Sequence, residues 1–238
     1  MGQIKMAEKT TQIVNKIEKL FEAGAHFGFV KARRHPSAKP FIFGSKNNIE
    51  IFDLEKTSKE LEKALTFIES KGKEKAMALW VEAIKKAGIE LDMPYVAGRW
   101  IGGTLSNFTE IKKRIAKLEE LTEQREKGEL YKYTKKERLL FDREIDKLTT
   151  YFGGLSTLKS LPKFMVVIDP KKEYIAVAEA RKINIPVVAL AGSDSNLYNL
   201  NFAIPGNDSS RQSITFIIQE LVTAYKKGRA EAIKEEKV

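Results

Sequence analysis

The sequence predicts an α/β fold: a parallel β-sheet with helices on both faces, together with an inserted helical hairpin. Two observations predict it. Short apolar runs alternate with segments of helical period, and strands that are apolar on both faces are typical of parallel sheets covered by helices. The middle of the chain interrupts this alternation with a long segment rich in Lys, Glu, Arg and Leu, in which no strand-like run occurs.

The first half of the chain supplies four elements of the sheet and its helices. Apolar residues at helical spacing predict a helix over residues 13–21, and Gly24 follows where such a helix would end. Residues 48–52 alternate like a strand, and residues 54–68 have the period of an amphipathic helix. Residues 77–81 form a short apolar run that predicts a buried strand.

The second half repeats the alternation more clearly. Residues 164–168 and 186–190 are apolar at nearly every position and predict two buried strands. Between them, residues 174–182 have helical character, and residues 214–225 carry the apolar period of a last, strong helix. Strands separated by helices in this order predict parallel pairing.

The interrupting segment predicts an antiparallel pair of helices. Apolar residues recur at spacings of three and four on either side of Gly128, so each half presents a narrow apolar seam to the other, while the charged outer faces are equally explained as solvated, salt-bridged surfaces. The predicted organisation is an α/β body of residues 1–108 and 151–225, an inserted hairpin of residues 109–150 and a flexible charged tail of residues 226–238.

The composition excludes several classes of protein. The 238 residues contain no Cys and two His, which excludes disulfides, thiolate catalysis and Cys- or His-rich metal sites. The sequence contains no phosphate-binding loop and no nucleophile elbow. No apolar run is long enough to span a membrane. We expect a cytoplasmic protein without a cofactor or a membrane partner.

The net charge of +10 favours a polyanionic partner, because neutralised phosphates release counterions. Basic residues concentrate in residues 31–40, the basic loop, which includes Arg33, Arg34 and Lys39 and no acidic residue. Pro36 and Pro40 predict that this loop is extended and non-helical, a rigid form suited to phosphate contact. The alternative is an ordinary solvated loop.

Residues 99–108 precede the hairpin and contain the adjacent glycines Gly102 and Gly103. We expect Arg99 to contact a phosphate and Trp100 to stack on a sugar or base. Alternatively, Trp100 packs where the hairpin leaves the body, because aromatic bulk is commonly used in packing. A second glycine pair, residues 153–154, follows the hairpin and favours a hinge or a tight backbone junction.

Polar segments at residues 169–172, 192–195 and 205–210 lie next to predicted strands or helices. In a parallel sheet they would meet at the carboxyl edge, where ligands commonly bind. An enzyme acting on a phosphorylated metabolite would use Asp169 and Asp194 there, but no accompanying base is evident in the sequence. For Asn207 and its neighbours, capping of the last helix is the simpler explanation.

Several strings, in their order along the chain, resemble the family of the second small-subunit ribosomal protein in its bacterial form. The resemblance extends from about residue 13 to 225. It rests on FEAGAHFG at 21–28, KPFIFG at 39–44, IFDLEKT at 51–57, MPYV at 93–96, RWIGGTLSNF at 99–108, LP at 161–162, DPKKE at 169–173, IPVVA at 185–189 and IPGND at 204–208.

The resemblance implies a flavodoxin-like body with a helical hairpin and no catalytic activity. It implies binding to small-subunit rRNA near the junction of head and body, and docking of neighbouring ribosomal proteins, including the large mRNA-capturing protein. This sequence departs from the family pattern at Phe29, where a second His is common, and at Arg34–His35, which replace Trp-Asn. Around residues 79–81 a family loop is shortened. An alternative alignment places that strand and loop at residues 67–71 and a helix at residues 73–87.

On this basis we expect phosphate contacts from the basic loop first, then from cations near the glycine pair and the sheet edge. Trp100 and Asn107 are expected to orient the base of the hairpin. A different possibility is an adaptor whose hairpin binds protein. The expected rRNA-binding residues are Arg33, Arg34, Lys39, Arg99, Trp100, Asn107, Lys112, Lys113, Lys171 and Lys172.

Overall fold

The computed structural model describes residues 15–81 and 85–235. The helices are α1 (15–22), α2 (Leu54–Lys73), α3 (Lys85–Leu91), α4 (Phe108–Glu126), α5 (Lys135–Phe152), α6 (Tyr174–Lys182) and α7 (Arg211–Glu235). The strands are β1 (Phe27–Val30), β2 (Ile42–Lys46), β3 (Ile49–Phe52), β4 (Ala78–Val81), β5 (Tyr95–Val96), β6 (Phe164–Ile168), β7 (Val187–Ala191) and β8 (Phe202–Pro205). The predicted start of the first helix, residues 13 and 14, lies outside the described residues.

Five strands form a parallel sheet in the order β5-β4-β6-β7-β8. Every residue of β4, β6 and β7 is buried, which explains why these strands are apolar at each position. The predicted α/β class and parallel sheet are confirmed. The preferred alignment is also right: α2 continues through Lys73, so the alternative strand at residues 67–71 is wrong.

Each face of the sheet has its own apolar core. On one face, α1, α2, α3 and α7 pack around Leu61, Ile217 and Tyr225. At the crossing of α2 and α7, a Cβ atom on Gly228 would overlap the carbonyl group of Glu69, so this close approach requires glycine. On the other face, α6 packs beside the body-proximal parts of α4 and α5.

The helices α4 and α5, called the hairpin below, pair through the apolar positions predicted from their spacing. Ile111, Ile115 and Leu118 of α4 are buried in the same core as Ile145 and Leu148 of α5. A 3₁₀ turn connects the two helices. The division of the chain into a separate body and insertion stays a prediction.

A second, antiparallel sheet of order β1-β3-β2 lies against the carboxyl edge of the large sheet. Of its strands, the sequence predicted only β3. The amide of Phe29 donates to Ser193 Oγ at 2.9 Å, and the amide of His35 donates to the Ser193 carbonyl at 2.8 Å. The small sheet therefore fixes the basic loop beside the carboxyl ends of the parallel strands.

Two expectations are wrong. The basic loop is not extended: 3₁₀ turns form at Lys31–Arg33 and Pro36–Phe41, the second capped by the His35 side chain, which accepts from the amide of Ser37. The tail is helical over residues 226–235, because α7 continues along α2. Lys227 pairs with Glu69 at 3.0 Å, and Ala232 is buried. Residues 236–238 lie outside the described part of the chain.

Candidate nucleic-acid interface

The basic loop presents two of its three predicted phosphate ligands to solvent. Arg33 and Lys39 are exposed. Arg34 instead donates from Nη1 to Glu50 Oε1 at 2.8 Å, and the Glu50 carboxylate is almost fully buried. Because a buried carboxylate needs a counter-charge, Arg34 stabilises the fold by pairing with Glu50. The expectation that Arg34 is a leading phosphate contact is corrected on this ground.

Residues 99–107, called the hairpin root below, are held by one carboxylate. Glu179 of α6 is buried, and its Oε1 accepts from the amide of Gly103 at 2.7 Å and from Trp100 Nε1 at 3.2 Å. Its Oε2 accepts from the amides of Leu105 and Ser106 at 2.9 and 3.1 Å. Gly103 has φ +94°, a conformation that L side chains rarely adopt. Four donors thus fix the backbone that leads into α4.

The electrostatics of Glu179 agree with this arrangement. Desolvation is the largest single influence and would raise the pKa of Glu179, but the hydrogen bonds from Gly103, Ser106, Leu105 and Trp100 together lower its pKa below the ordinary value. The carboxylate therefore stays ionised, and ionised acceptors make the stronger hydrogen bonds.

The structure supports the packing alternative for Trp100. Its side chain is only 4% exposed and belongs to the core between the sheet and the hairpin. Because its ring presents no open face, it has no surface on which a base could stack. The expected RNA contact of Trp100 is withdrawn, and its contact with Glu179 places it in the fixed hairpin root.

The second glycine pair forms a tight junction at the other end of the hairpin. A Cβ atom on Gly154 would overlap the carbonyl group of Tyr95, so backbone packs directly on backbone there. Asn107 occupies the N-cap position of α4, but its side chain makes no capping hydrogen bond. Its amide donates to the Gly103 carbonyl at 2.8 Å. The orienting role predicted for the Asn107 side chain stays a prediction.

The remaining predicted cations are exposed and lie on separate surfaces. Lys112 Nζ lies 4.9 Å from the ring centroid of Phe108, while Arg99 is also exposed near this end of the hairpin. Lys113 pairs with Glu110 at 2.7 Å, within α4. The predicted cations that are exposed near the hairpin root or at the sheet edge are Arg99, Lys112, Lys113, Lys171 and Lys172.

At the sheet edge, the structure brings the basic loop and Lys171 together. His35 and Lys171 both line an open cavity of about 340 Å³. Lys171 pairs there with Asp194 at 2.7 Å. The amide of Lys172 donates to Asp169 Oδ1 at 3.0 Å, and its side chain is exposed.

A groove that the sequence analysis missed runs along the base of the hairpin. Arg114 of α4 and Arg143 and Lys147 of α5 line this hairpin groove, and none of the three forms an ion pair within the described residues. Ile101, Tyr151 and the acidic Glu144, which pairs with Lys117, also line this open volume of about 650 Å³. The spacing of four from Arg143 to Lys147 to Tyr151, which places all three on one face of α5, was the signal available in the sequence.

The polar residues at the carboxyl edge act structurally. Asn207 Oδ1 accepts from the amides of Ser209 and Ser210, which precede the first residue of α7, so it orders the turn before the helix and the predicted capping of α7 itself stays a prediction. Buried Asp208 accepts from the amide of Gly192 at 2.7 Å. Burial, and then repulsion by Asp169, raise the pKa of Asp208 to about 7.

The acids on which the enzyme alternative depends do not share the cavity at the sheet edge. The cavity at this edge is open, and Asp194 lines it without Asp169 or Asn207. His26 is stacked on Phe21 with ring centroids 4.4 Å apart, and its buried Nδ1 has no hydrogen-bond partner among the described residues. None of the helices in the described ranges has both the length and the apolarity to cross a bilayer.

The fold and its surface define a class: a parallel α/β protein with a helical hairpin, whose exposed cations occupy grooves and loops. The family model described as ribosomal protein S2 matches residues 20–228. The chain belongs to the ribosomal protein S2 family. This confirms the family resemblance found in the sequence.

Relatives from distant bacteria agree along almost the whole chain. The small ribosomal subunit protein uS2 of Sulfurimonas denitrificans is 39% identical over 89% of this chain and 84% of its own length. Those of Shewanella pealeana and Psychromonas ingrahamii are 38% and 36% identical, over 89% and 90% of this chain and 90% and 91% of their own lengths. Its relatives are proteins of the small ribosomal subunit. Family membership therefore makes the chain a structural constituent of the ribosome and not an enzyme.

Proposed function

We propose that this protein is assembled into the small ribosomal subunit, where it binds rRNA near the junction of head and body and helps dock neighbouring ribosomal proteins in the cytoplasm. The observation that carries the RNA-binding part is the set of exposed cations that line the hairpin groove and form no ion pair among the described residues, Arg114, Arg143 and Lys147. Unpaired cations on a rigid scaffold are suited to a phosphate backbone.

The proposed contacts form two surfaces on fixed elements. At one, Arg33 and Lys39 extend from the basic loop, which the small sheet holds in place. At the other, the hairpin groove and Arg99 lie beside the root that Glu179 fixes. Because little conformational freedom is lost when such surfaces dock, they read the shape of folded RNA rather than its sequence.

The protein-docking part of the proposal is supported by Phe43. This residue lies on β2, at the edge of the small sheet, and its side chain is 81% exposed. An exposed aromatic residue on an edge strand offers both an apolar contact and backbone hydrogen-bonding groups to a neighbouring protein. Among the neighbours implied by the family resemblance is the large mRNA-capturing protein of the small subunit.

Sedimentation tests the proposal. The full chain is expected to cofractionate with small subunits at low salt and to be released at high salt. The double variant Arg33→Ala/Lys39→Ala should flatten the dependence of log affinity on log salt by about two, because two phosphate contacts are lost. The matched control Lys59→Ala/Lys63→Ala removes the same charge from α2 and should keep the slope. A wild-type chain that stays at the top of the gradient would refute the proposal.

A further inference from the structure

An open cavity of about 430 Å³ lies at the turn between α4 and α5. This turn is at the end of the hairpin remote from its root. Residues of both helices and of the connecting turn line it. This tip cavity is of the size that proteins use for small ligands or single groups of a larger one. Its principal lining residues are Arg125, Tyr131, Lys135, Arg138 and Asp142.

The three cations of the tip cavity have no acidic partner. Within the part of the chain that the structure describes, Arg125, Lys135 and Arg138 form no ion pair, and Arg138 Nε has no hydrogen-bond acceptor. Asp142 is the one acidic residue among the lining residues. By contrast, three lysines of α4 and its C-terminal cap have acidic partners: Lys113 with Glu110, Lys117 with Glu144 and Lys127 with Glu123.

Tyr131 adds an aromatic surface beside these cations. Its side chain is 77% exposed, and the Arg138 guanidinium lies over the ring, 5.5 Å from the centroid. The ring lies outside the apolar core, and its contacts with Gly128 and Arg138 leave most of its surface open to solvent. An open aromatic face next to cations is the arrangement that proteins use to stack an unpaired base while holding its phosphate.

The tip is also rigid. Gly128 has φ +74°, and a Cβ atom there would lie 3.3 Å from the Tyr131 ring, so the turn depends on glycine. Leu130 is buried beneath the turn, and Thr134 and Glu137 cap α5 reciprocally. A cavity whose walls are already fixed loses little conformational entropy on binding.

We propose that the tip cavity binds one unpaired nucleotide of RNA, with the base stacked on Tyr131 and a phosphate held by Arg125 and Lys135. This inference rests on the proposed RNA-binding function and names the class of ligand at a second position on the hairpin. An acidic peptide would satisfy the cations but would leave the ring of Tyr131 without a role. A base-paired nucleotide does not fit the proposal, because its faces are covered within the helix.

The test measures binding of the full chain to a single-stranded RNA of ten adenylates and to a duplex of the same length. Tyr131→Ala should weaken binding to the single strand about tenfold, because one stacking contact is lost. It should leave the salt slope and the affinity for the duplex unchanged. Tyr131→Phe should bind like the wild type, because it keeps the ring.

Tyr198→Ala provides the matched control, since Tyr198 is equally exposed, at 77%, but lies near β8. It should not change the affinity. In assembled subunits, cross-linking of bromouridine-substituted rRNA should label the peptide that contains Tyr131.

Equal affinity of Tyr131→Ala and the wild type for the single strand would overturn the inference, as would a cross-link from the tip to protein alone. The proposed function would survive both results if the chain still sediments with small subunits. Failure of the wild-type chain to sediment would instead refute the function.

Discussion

Two buried carboxylates, one at the hairpin root and one at the sheet edge, have opposite properties. Glu179 and Asp208 are both removed from water, and desolvation is the largest influence on both pKa values. Yet the pKa of Glu179 is lowered, whereas the pKa of Asp208 is raised to about 7. Burial alone therefore does not decide the charge of an acid in this molecule.

The difference lies in what surrounds each group. Glu179 accepts from three backbone amides and one indole N–H, all of which favour the ionised form. Asp208 receives one short bond from the amide of Gly192, and the neighbouring Asp169 and Asp194 oppose its ionisation. The hairpin root therefore depends on the ionised carboxylate of Glu179, whereas Asp208 at the sheet edge keeps its proton up to a pH of about 7.

The largest expected effect comes from removing the charge at the root. Glu179→Ala should lower the free energy of unfolding by about 3 to 5 kcal/mol, because it leaves several buried N–H donors without an acceptor. Calorimetry at pH 7 measures the change. The control Glu62→Ala removes an exposed carboxylate and should change stability little. Equal melting temperatures for the two variants would show that the four bonds do not hold the root.

The sheet edge is tested by the pH dependence of stability. The pKa of Asp208 rises from its ordinary value of 3.8 to about 7 in the folded chain. Between these values the unfolded chain releases a proton that the native one keeps, so this group makes the native state progressively less stable as pH rises. Asp208→Asn removes that penalty, and its stability relative to the wild type should grow from pH 4 to pH 7 by on the order of 2 to 4 kcal/mol.

Melting curves of wild type and Asp208→Asn at several pH values measure this difference. Asp146→Asn is the control, because it makes the same replacement at an exposed position of α5, away from the sheet edge. A constant difference between Asp208→Asn and the wild type from pH 4 to pH 7 would mean that Asp208 ionises normally and that the contrast with Glu179 is wrong.

Sequence periodicity was sufficient for the elements whose burial is uniform or one-sided. Strand β6 and helix α6 have the bounds that their apolar patterns predicted. The small sheet was harder to predict, because β1 and β2 are short and half exposed, and β1 is held by a hydrogen bond to Ser193, which is distant in sequence. The end of α7 was missed because its charged residues pair with α2.

Contacts between residues distant in sequence also limited the prediction of the candidate interface. Composition identified the cations but not which of them already have acidic partners within the fold. Arg33 and Arg34 are adjacent and chemically identical, yet Arg34 alone is directed toward Glu50. That distinction depends on β3, which brings Glu50 beneath the loop through strand pairing. Likewise, the residues around Trp100 suggested RNA contact, but the ring packs in the core between the sheet and the hairpin and bonds to a carboxylate 79 positions away.

A third buried acid, Glu50, sharpens the comparison, because its hydrogen-bond partner is an arginine side chain and not a set of backbone donors. Arg34→Ala should lower the free energy of unfolding by about 2 kcal/mol, since it leaves the Glu50 carboxylate buried and unpaired; the partial exposure of Arg34 keeps this below the cost of a fully buried pair. Arg33→Ala, the control on the adjacent exposed cation, should leave stability unchanged and reduce only RNA affinity. In chemical denaturation, the double variant Arg34→Ala/Glu50→Gln should recover part of the loss, because the uncompensated charge is gone. If Arg34→Ala matches Arg33→Ala in stability, Arg34 belongs with the phosphate contacts after all, and a salt bridge does not replace backbone donors in this fold.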